Sequence, residues 1–126
     1  PPAVAMVDID HFKQVNDTQG HAEGDRVLVE LAGVLRAQLA GSGMAARYGG
    51  EEFVILLPDT PLAQAELQCQ YLREADALLP MGLPVTIRLG LAAHRPGESA
   101  QETLRRADAA LYQAKAQGRD RVVVAG

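Results

Sequence analysis

A single cysteine, Cys69, is all the thiol chemistry the chain carries. One cysteine cannot close an internal disulfide or build a cysteine metal cluster. Cys69 falls inside a helical pattern and reads as a buried thiol rather than a reactive one. Positive charge is not in excess either, since the net charge is −4. That argues against a long nucleic-acid duplex as partner, which needs a basic face. It leaves room for one small anion held by a few local cations. Long apolar runs are missing. The opening stretch Ala3 to Val7 is too short for a signal peptide or a membrane span. No membrane contact is expected of this domain, and a cytosolic protein, or the cytosolic part of a larger one, is the default. Linker-like composition shifts, internal repeats and low-complexity segments are also lacking. A length of 126 residues with 48% apolar content fits one domain, 1–126, with one sizeable core. The chain starts almost directly inside a strand, which suggests a trimmed domain.

What is present reads as alternating elements. Ala3 to Ile9 is a nearly continuous apolar run, as in a strand buried on both faces near the middle of a sheet. His11 to Val15 makes a short helix, and Asn16 to Gly24, polar with two glycines, reads as a loop. Asp25 to Leu39 is a helix, with Leu28, Leu31, Leu35 and Leu39 forming its apolar stripe. Gly41-Ser42-Gly43 breaks it. Met44 to Tyr48 and Glu51 to Leu57 read as strands joined by Gly49-Gly50, a two-residue hairpin turn using glycine at positive φ. Thr60 as N-cap and Pro61 as first residue open a helix running towards Leu79. Pro80 and Pro84 bracket a loop. Val85, Ile87, Leu89 and Leu91 alternate as a strand with one core face. Ser99 and Glu102 have capping-box spacing, and Leu104, Ala107, Leu111 and Ala114 continue a helix that Gly118 stops. Arg121 to Ala125 is a final strand. The order β-α-α-β-β-α-β-α-β predicts an α/β (α+β) fold: a mixed, mainly antiparallel central sheet flanked by helices, close to the ferredoxin-like plan of polymerase palms and some nucleotidyl cyclases.

The acidic residues make the chemical argument. Asp8 and Asp10 are two apart and face one side of a strand. Glu51 and Glu52 follow the Gly-Gly turn on strands expected to neighbour the first. Convergence of four carboxylates at one sheet edge would be relieved by a hard divalent cation such as Mg²⁺, which takes one or two protein carboxylates and leaves positions for phosphate oxygens and water. The Ile9 carbonyl supplies a further oxygen. Taken singly, Asp-x-Asp is more often a solvated loop end than a metal site, and a Gly-Gly pair is more often just a turn.

Arg47-Tyr48-Gly49-Gly50-Glu51-Glu52-Phe53 resembles the signature of GGDEF domains, the diguanylate cyclase family, in its Gly-Gly-Glu-Glu-Phe form. Asp8-Ile9-Asp10-His11-Phe12-Lys13, Asn16-Asp17, Gly20-His21 and Gly24-Asp25 are similar to the family's first motif. Ala110-Leu111-Tyr112-Gln113-Ala114-Lys115 and Gly118-Arg119 are similar to its C-terminal motif. The resemblance spans nearly the whole chain. It implies condensation of two GTP into cyclic di-GMP and two pyrophosphates with Mg²⁺ or Mn²⁺, two ions per site. Asp8, the Ile9 carbonyl and Glu51 would hold metal, with Glu52 near the second ion, and Glu51 is also the implied base. Asn16 and Asp25 would read guanine, Leu28 would line the base pocket, and His21 would lie beside the nucleoside. Gly49 and Gly50 would let the backbone approach the α-phosphate. Amides of His11, Phe12 and Lys13 would hold the terminal phosphates. Lys13, Lys115 and Arg119 would neutralise their charge, with Lys13 also stabilising the leaving pyrophosphate. The Phe12 and Phe53 rings read as core.

Catalysis then needs a second copy of the domain, since each site holds half the reactants. An upstream sensor or dimerising region is expected in the intact protein, because the family's Asp-x-Leu-Thr helix before the first strand is absent from this sequence. Two further departures stand out. Ala40 and Gly43 occupy the places of the family's Arg-x-x-Asp product-inhibition motif, so no product inhibition through that site is expected. Arg88 stands where a small polar residue is usual; it is either a surface substitution or a partner of the acidic cluster. The alternative function is a catalytically silent GTP-binding or partner-binding regulatory domain. Retention of both glutamates together with loss of the product site favours the enzyme.

Overall fold

The computed structural model describes residues 1–77 and 85–126. Along the chain run β1 (Ala3–Ile9), α1 (Phe12–Gln19), α2 (His21–Leu39), β2 (Met44–Gly49), β3 (Glu52–Leu57), α3 (Leu62–Ala77), β4 (Ile87–Ala93), α4 (Ala100–Ala116) and β5 (Val122–Val124). The sheet has five strands in the order β2-β3-β1-β4-β5. The apolar run of β1 thus lies at the centre, antiparallel to β3 on one side and β4 on the other. Only β5 runs parallel, against β4. The sheet is therefore mixed and mainly antiparallel, as expected.

Period-two alternation separates two faces of the sheet. Ala3, Ala5, Val7 and Ile9 join Phe53, Ile55, Leu57, Leu89 and Leu91 in the main core, under the leucine stripe of α2 and Ala65, Cys69 and Leu72 of α3. The opposite face carries a smaller cluster of Met6 and Ala92 against Ala107 and Leu111 of α4. Gly90 sets how closely α4 sits: a Cβ there would lie 2.1 Å from the Ala107 carbonyl oxygen and 2.3 Å from the Leu111 amide nitrogen. Ser99 caps α4 in a full capping box with Glu102. Burial pushes the Cys69 thiol up to about 12, as befits an inert core residue.

Three expectations are corrected. Asn16 to Gly24 is not a loop. Helix α1 continues to Gln19, one residue, Gly20 at φ 90°, makes the corner, and α2 starts at His21. Gly24 is a helical glycine, there because a Cβ would meet Asn16 Oδ1 at 1.9 Å. The hairpin turn is Gly50-Glu51 rather than Gly49-Gly50: Gly49 pairs with Glu52 after an irregularity following Arg47, and neither glycine is among the residues with positive φ. Helix α3 starts at Leu62, its first bond running from the Ala65 amide to the Pro61 carbonyl, one residue later than expected, and the Thr60 hydroxyl donates to the Pro58 carbonyl at 2.9 Å. The expected helix end at Leu79 and the loop between Pro80 and Pro84 lie outside the described residues.

Candidate active site

The chemistry-bearing residues gather where β1 and β4 meet α1, the β2–β3 turn and the end of α4. Two clefts adjoin there. One, of about 410 Å³, is lined by Ile9, His11, Phe12, Lys13, Glu51, Arg88, Lys115 and Arg119, with Gln14 and Asp17. The other, of about 400 Å³, is lined by Phe12, Lys13, Asn16, His21, Asp25, Leu28, Gly50 and Glu51, with Arg47. Phe12, Lys13 and Glu51 belong to both. The expected phosphate-side residues thus fall in one cleft and the expected guanine-side residues in the other, with Glu51 on the wall between them. Gly49 lines neither.

Local structure explains the first cleft's character. His11 adopts a left-handed conformation at φ 56° and turns the chain from β1 into α1. No side chain caps that helix end. Its first amides therefore lack helical partners and are free to bind an anion. The turn after α4 brings Gly118, Arg119 and Asp120 to positive φ in succession. This bend carries Arg119 back over the cleft beside Lys115. Arg47 donates from its guanidinium to the Gly50 carbonyl and braces the turn that holds Glu51. Nothing in the linear sequence signals that brace, which spans a bulged hairpin.

The four carboxylates lie near one another at one edge of the sheet, Asp8 pairing with Glu52 across β1 and β3, but each has its own surroundings. Asp10 is 4% exposed and fully engaged. It accepts from Thr86 Oγ1 at 2.6 Å, Arg88 Nη1 at 2.9 Å and the Asp120 amide at 2.8 Å. It is thus a clamp joining β1, β4 and the turn that bears Arg119. Glu52 faces Asp8 across the β1–β3 pairing but lines a third cleft, of about 420 Å³, with Met6, Tyr48, Leu104, Arg105 and Asp108. Glu51 lies in the turn. Asp8 accepts from Arg88 Nη2 at 2.9 Å, and Arg88 is itself 9% exposed. The open question about Arg88 is settled: it pairs with the acids.

Electrostatics mark Asp8 and both glutamates as carboxylates short of counter-charge. Burial raises Asp8 to about 6; Arg88 pulls the other way, and Glu51 and Asp10 push further up. Glu51 is raised by burial and by Glu52, against Arg88 and Lys115. Burial, Asp8 and Asp108 raise Glu52. Asp8 Oδ1 is buried without a hydrogen-bond partner. An orphaned carboxylate oxygen in an acidic neighbourhood suits a hard divalent ion. Among the described residues, no three His, Cys, Asp or Glu side chains close around a common point.

The family profile described as "Diguanylate cyclase, GGDEF domain" matches residues 1–121. The chain belongs to the GGDEF family. It is 45% identical over 127 residues to diguanylate cyclase DgcP of Pseudomonas aeruginosa, covering 97% of this chain and 19% of that protein. It is 41% identical over 131 residues to the response regulator PleD of Caulobacter vibrioides, covering 98% of this chain and 29% of that protein. The chain therefore spans less than a third of these relatives. Among solved structures, the active GGEEF domain of a diguanylate cyclase from Vibrio cholerae superposes with a TM-score of 0.93 at 32% identity, covering 99% of this chain and 83% of that one. The GGDEF domain of DgcB from Caulobacter crescentus, in complex with c-di-GMP, superposes with a TM-score of 0.93 at 37% identity, covering 98% and 77%. The fold of this chain is thus that of a GGDEF domain. No helix among its described residues is long and apolar enough to cross a membrane.

Proposed function

We propose that this GGDEF domain, 1–126, is the catalytic unit of a diguanylate cyclase, condensing two GTP into cyclic di-GMP with release of two pyrophosphates. The observation that carries this reading is the pair of adjoining clefts with Glu51 and Lys13 on their common wall. A nucleotide has the same two-part chemistry, a polyanion and a base joined by a sugar. In the cleft of Asn16, Asp25 and Leu28, the Asp25 carboxylate accepts from the guanine N1–H and exocyclic amine, Asn16 donates to an acceptor, and Leu28 covers the ring. His21 lies beside the nucleoside. In the other cleft the free amides at His11 to Lys13 hold the terminal phosphates, and Lys13, Lys115 and Arg119 neutralise them.

A Mg²⁺ or Mn²⁺ ion held by Asp8, the Ile9 carbonyl and Glu51, with Glu52 nearby, would polarise the attacking 3′-hydroxyl and the α-phosphate. Glu51 then orients and accepts the hydroxyl proton, and Lys13 stabilises the pyrophosphate as it leaves. Gly50, with open space where a Cβ would be, permits close approach of the α-phosphate. One site holds one GTP, so a second copy of the domain must face the first, brought there by an upstream sensor or dimerising region of a cytoplasmic or membrane-bound protein. A silent GTP-binding role is favoured by one feature, the arginine already seated on Asp8. The two readings separate when the domain, fused to a dimerising segment, is incubated with GTP and Mg²⁺. Cyclic di-GMP and pyrophosphate are expected from the parent and not from Glu51→Ala. A folded dimer that binds GTP yet yields no product would leave the regulatory reading.

A further inference from the structure

Arg88 lies opposite Asp8 in the β1–β4 pairing and is gripped at both ends of its guanidinium, by Asp8 Oδ2 and by Asp10 Oδ1, each at 2.9 Å. Asp10 is itself immobilised by Thr86 and by the Asp120 amide. Arg88 therefore cannot leave Asp8 without also abandoning a buried, fully bonded partner. This two-ended bridge uses the planar fork of arginine, which lysine lacks. Its consequence for Asp8 is that one oxygen is occupied and only Oδ1 remains without a partner. Arg88 also lines the cleft of Lys13, Glu51, Lys115 and Arg119, whereas Asp8 does not. The positive charge next to the triphosphate side is thus in part already supplied by the protein.

We infer that Arg88 is a resident cation of the acidic site: it takes one of the two places at Asp8, so the domain binds one divalent ion per site, and binds it less tightly than it would without the arginine. The inference rests on the metal-site reading given above. A tethered guanidinium and a metal ion on one carboxylate repel each other, and two metal ions beside the guanidinium would repel it more strongly still. Arg88 is a positioning residue here, acting through Asp8. It also supplies the counter-charge that Asp8 and Asp10 need when no metal is bound.

The test is a Mn²⁺ titration followed by electron paramagnetic resonance, with and without a non-reactive GTP analogue, on the parent domain, Arg88→Ser, Arg88→Lys and Asp8→Asn. The parent should saturate at one Mn²⁺ per chain with the analogue present. Arg88→Ser should take up two, the first about tenfold tighter, a change of about 1.4 kcal/mol. Arg88→Lys, which keeps the charge, should stay at one. In EDTA, Arg88→Ser should unfold at lower urea than the parent, and Mg²⁺ should close that gap, which a purely structural loss would not allow. Two Mn²⁺ on the parent overturn the inference, whether or not any variant folds. So does equal affinity in parent and Arg88→Ser. Mn²⁺ binding that is absent from the parent and Arg88→Ser alike, or unchanged in Asp8→Asn, overturns the metal-site reading with it.

Discussion

Asp8 is a carboxylate that the fold holds against its own preference. Its value is raised from 3.8 to about 6 because burial outweighs the pull of Arg88. A raised carboxylate binds its proton more tightly in the folded than in the unfolded chain. Stability of the metal-free domain from this group is therefore highest below about pH 4 and is lost as pH rises through 6. Glu51 and Glu52 shift in the same direction. In EDTA, the urea midpoint of Asp8→Asn should gain on the parent between pH 4.5 and 7.5, by about 1 kcal/mol or more. Added Mg²⁺ should stabilise the parent at pH 7.5 and leave Asp8→Asn unmoved. A parent-to-variant difference that does not change with pH would show that Asp8 carries no such penalty. The same residue also shows the reach of sequence reading. Asp8, Asp10, Glu51, Glu52 and the Ile9 carbonyl were picked out by type and spacing, and Asp8, Ile9 and Glu51 among them by the family resemblance. The division of labour between Asp8 and Asp10, adjacent on one face, was not, because it depends on Thr86 and the Asp120 amide, brought in from far along the chain.

At the scale of elements, two glycines govern how helices meet their neighbours. Gly24 of α2 faces the side-chain end of Asn16 on α1. A Cβ there displaces a flexible amide rather than backbone, and alanine gains roughly 1 kcal/mol of helix propensity over glycine. Gly24→Ala should therefore keep or slightly raise the melting temperature while weakening GTP binding about tenfold or more, through a misplaced Asn16. Unchanged affinity, measured by calorimetry, would remove Asn16 from the guanine site. Gly90 on β4 is the opposite case. The clash of its added Cβ is with the backbone of α4 on two residues, Ala107 and Leu111. Gly90→Ala should cost about 1–3 kcal/mol of stability by pushing the helix off the sheet, read as a lower urea midpoint. Gly24 is also where sequence reading of the elements differed from the outcome. Two glycines in a polar stretch suggested a loop from Asn16 to Gly24. Only Gly20 breaks the helix, because only it takes a positive φ; Gly24 is present for close packing.

At the scale of the whole molecule, the site is built from segments that the topology alone unites: the end of β1, the start of α1, the β2–β3 turn, β4 and the end of α4. The two clefts open side by side with Phe12, Lys13 and Glu51 in both, and on the proposed reading they take one nucleotide. Turnover by the isolated domain should accordingly rise more than linearly with protein concentration and become linear once a dimerising segment is fused to it. Linear dependence for the unfused domain at all concentrations would mean that single domains suffice. The place of the product-inhibition motif is also decided at this scale. Ala40 is exposed, and Gly43 packs so closely on β3 that a Cβ would lie 2.6 Å from the Leu56 carbonyl oxygen. An aspartate at 43 would not fit without moving backbone. Cyclic di-GMP added to the active dimer should leave its rate unchanged through this surface, and inhibition that maps to residues 40–43 would contradict it.

The sequence by itself determined the order of elements, the leucine stripe of α2, the two-faced burial of β1, the capping box of α4 and the residue types of the site. The structural features follow from local periodicity or from short-range spacing, which the linear chain carries directly, and the site residues from the family resemblance. Tertiary structure alone decided that Asp10 is a clamp and that Arg88 sits on Asp8. The physical reason is range. These are contacts between strands and turns up to 110 positions apart, and their energies come from burial and charge proximity that exist only once the sheet has brought the segments together.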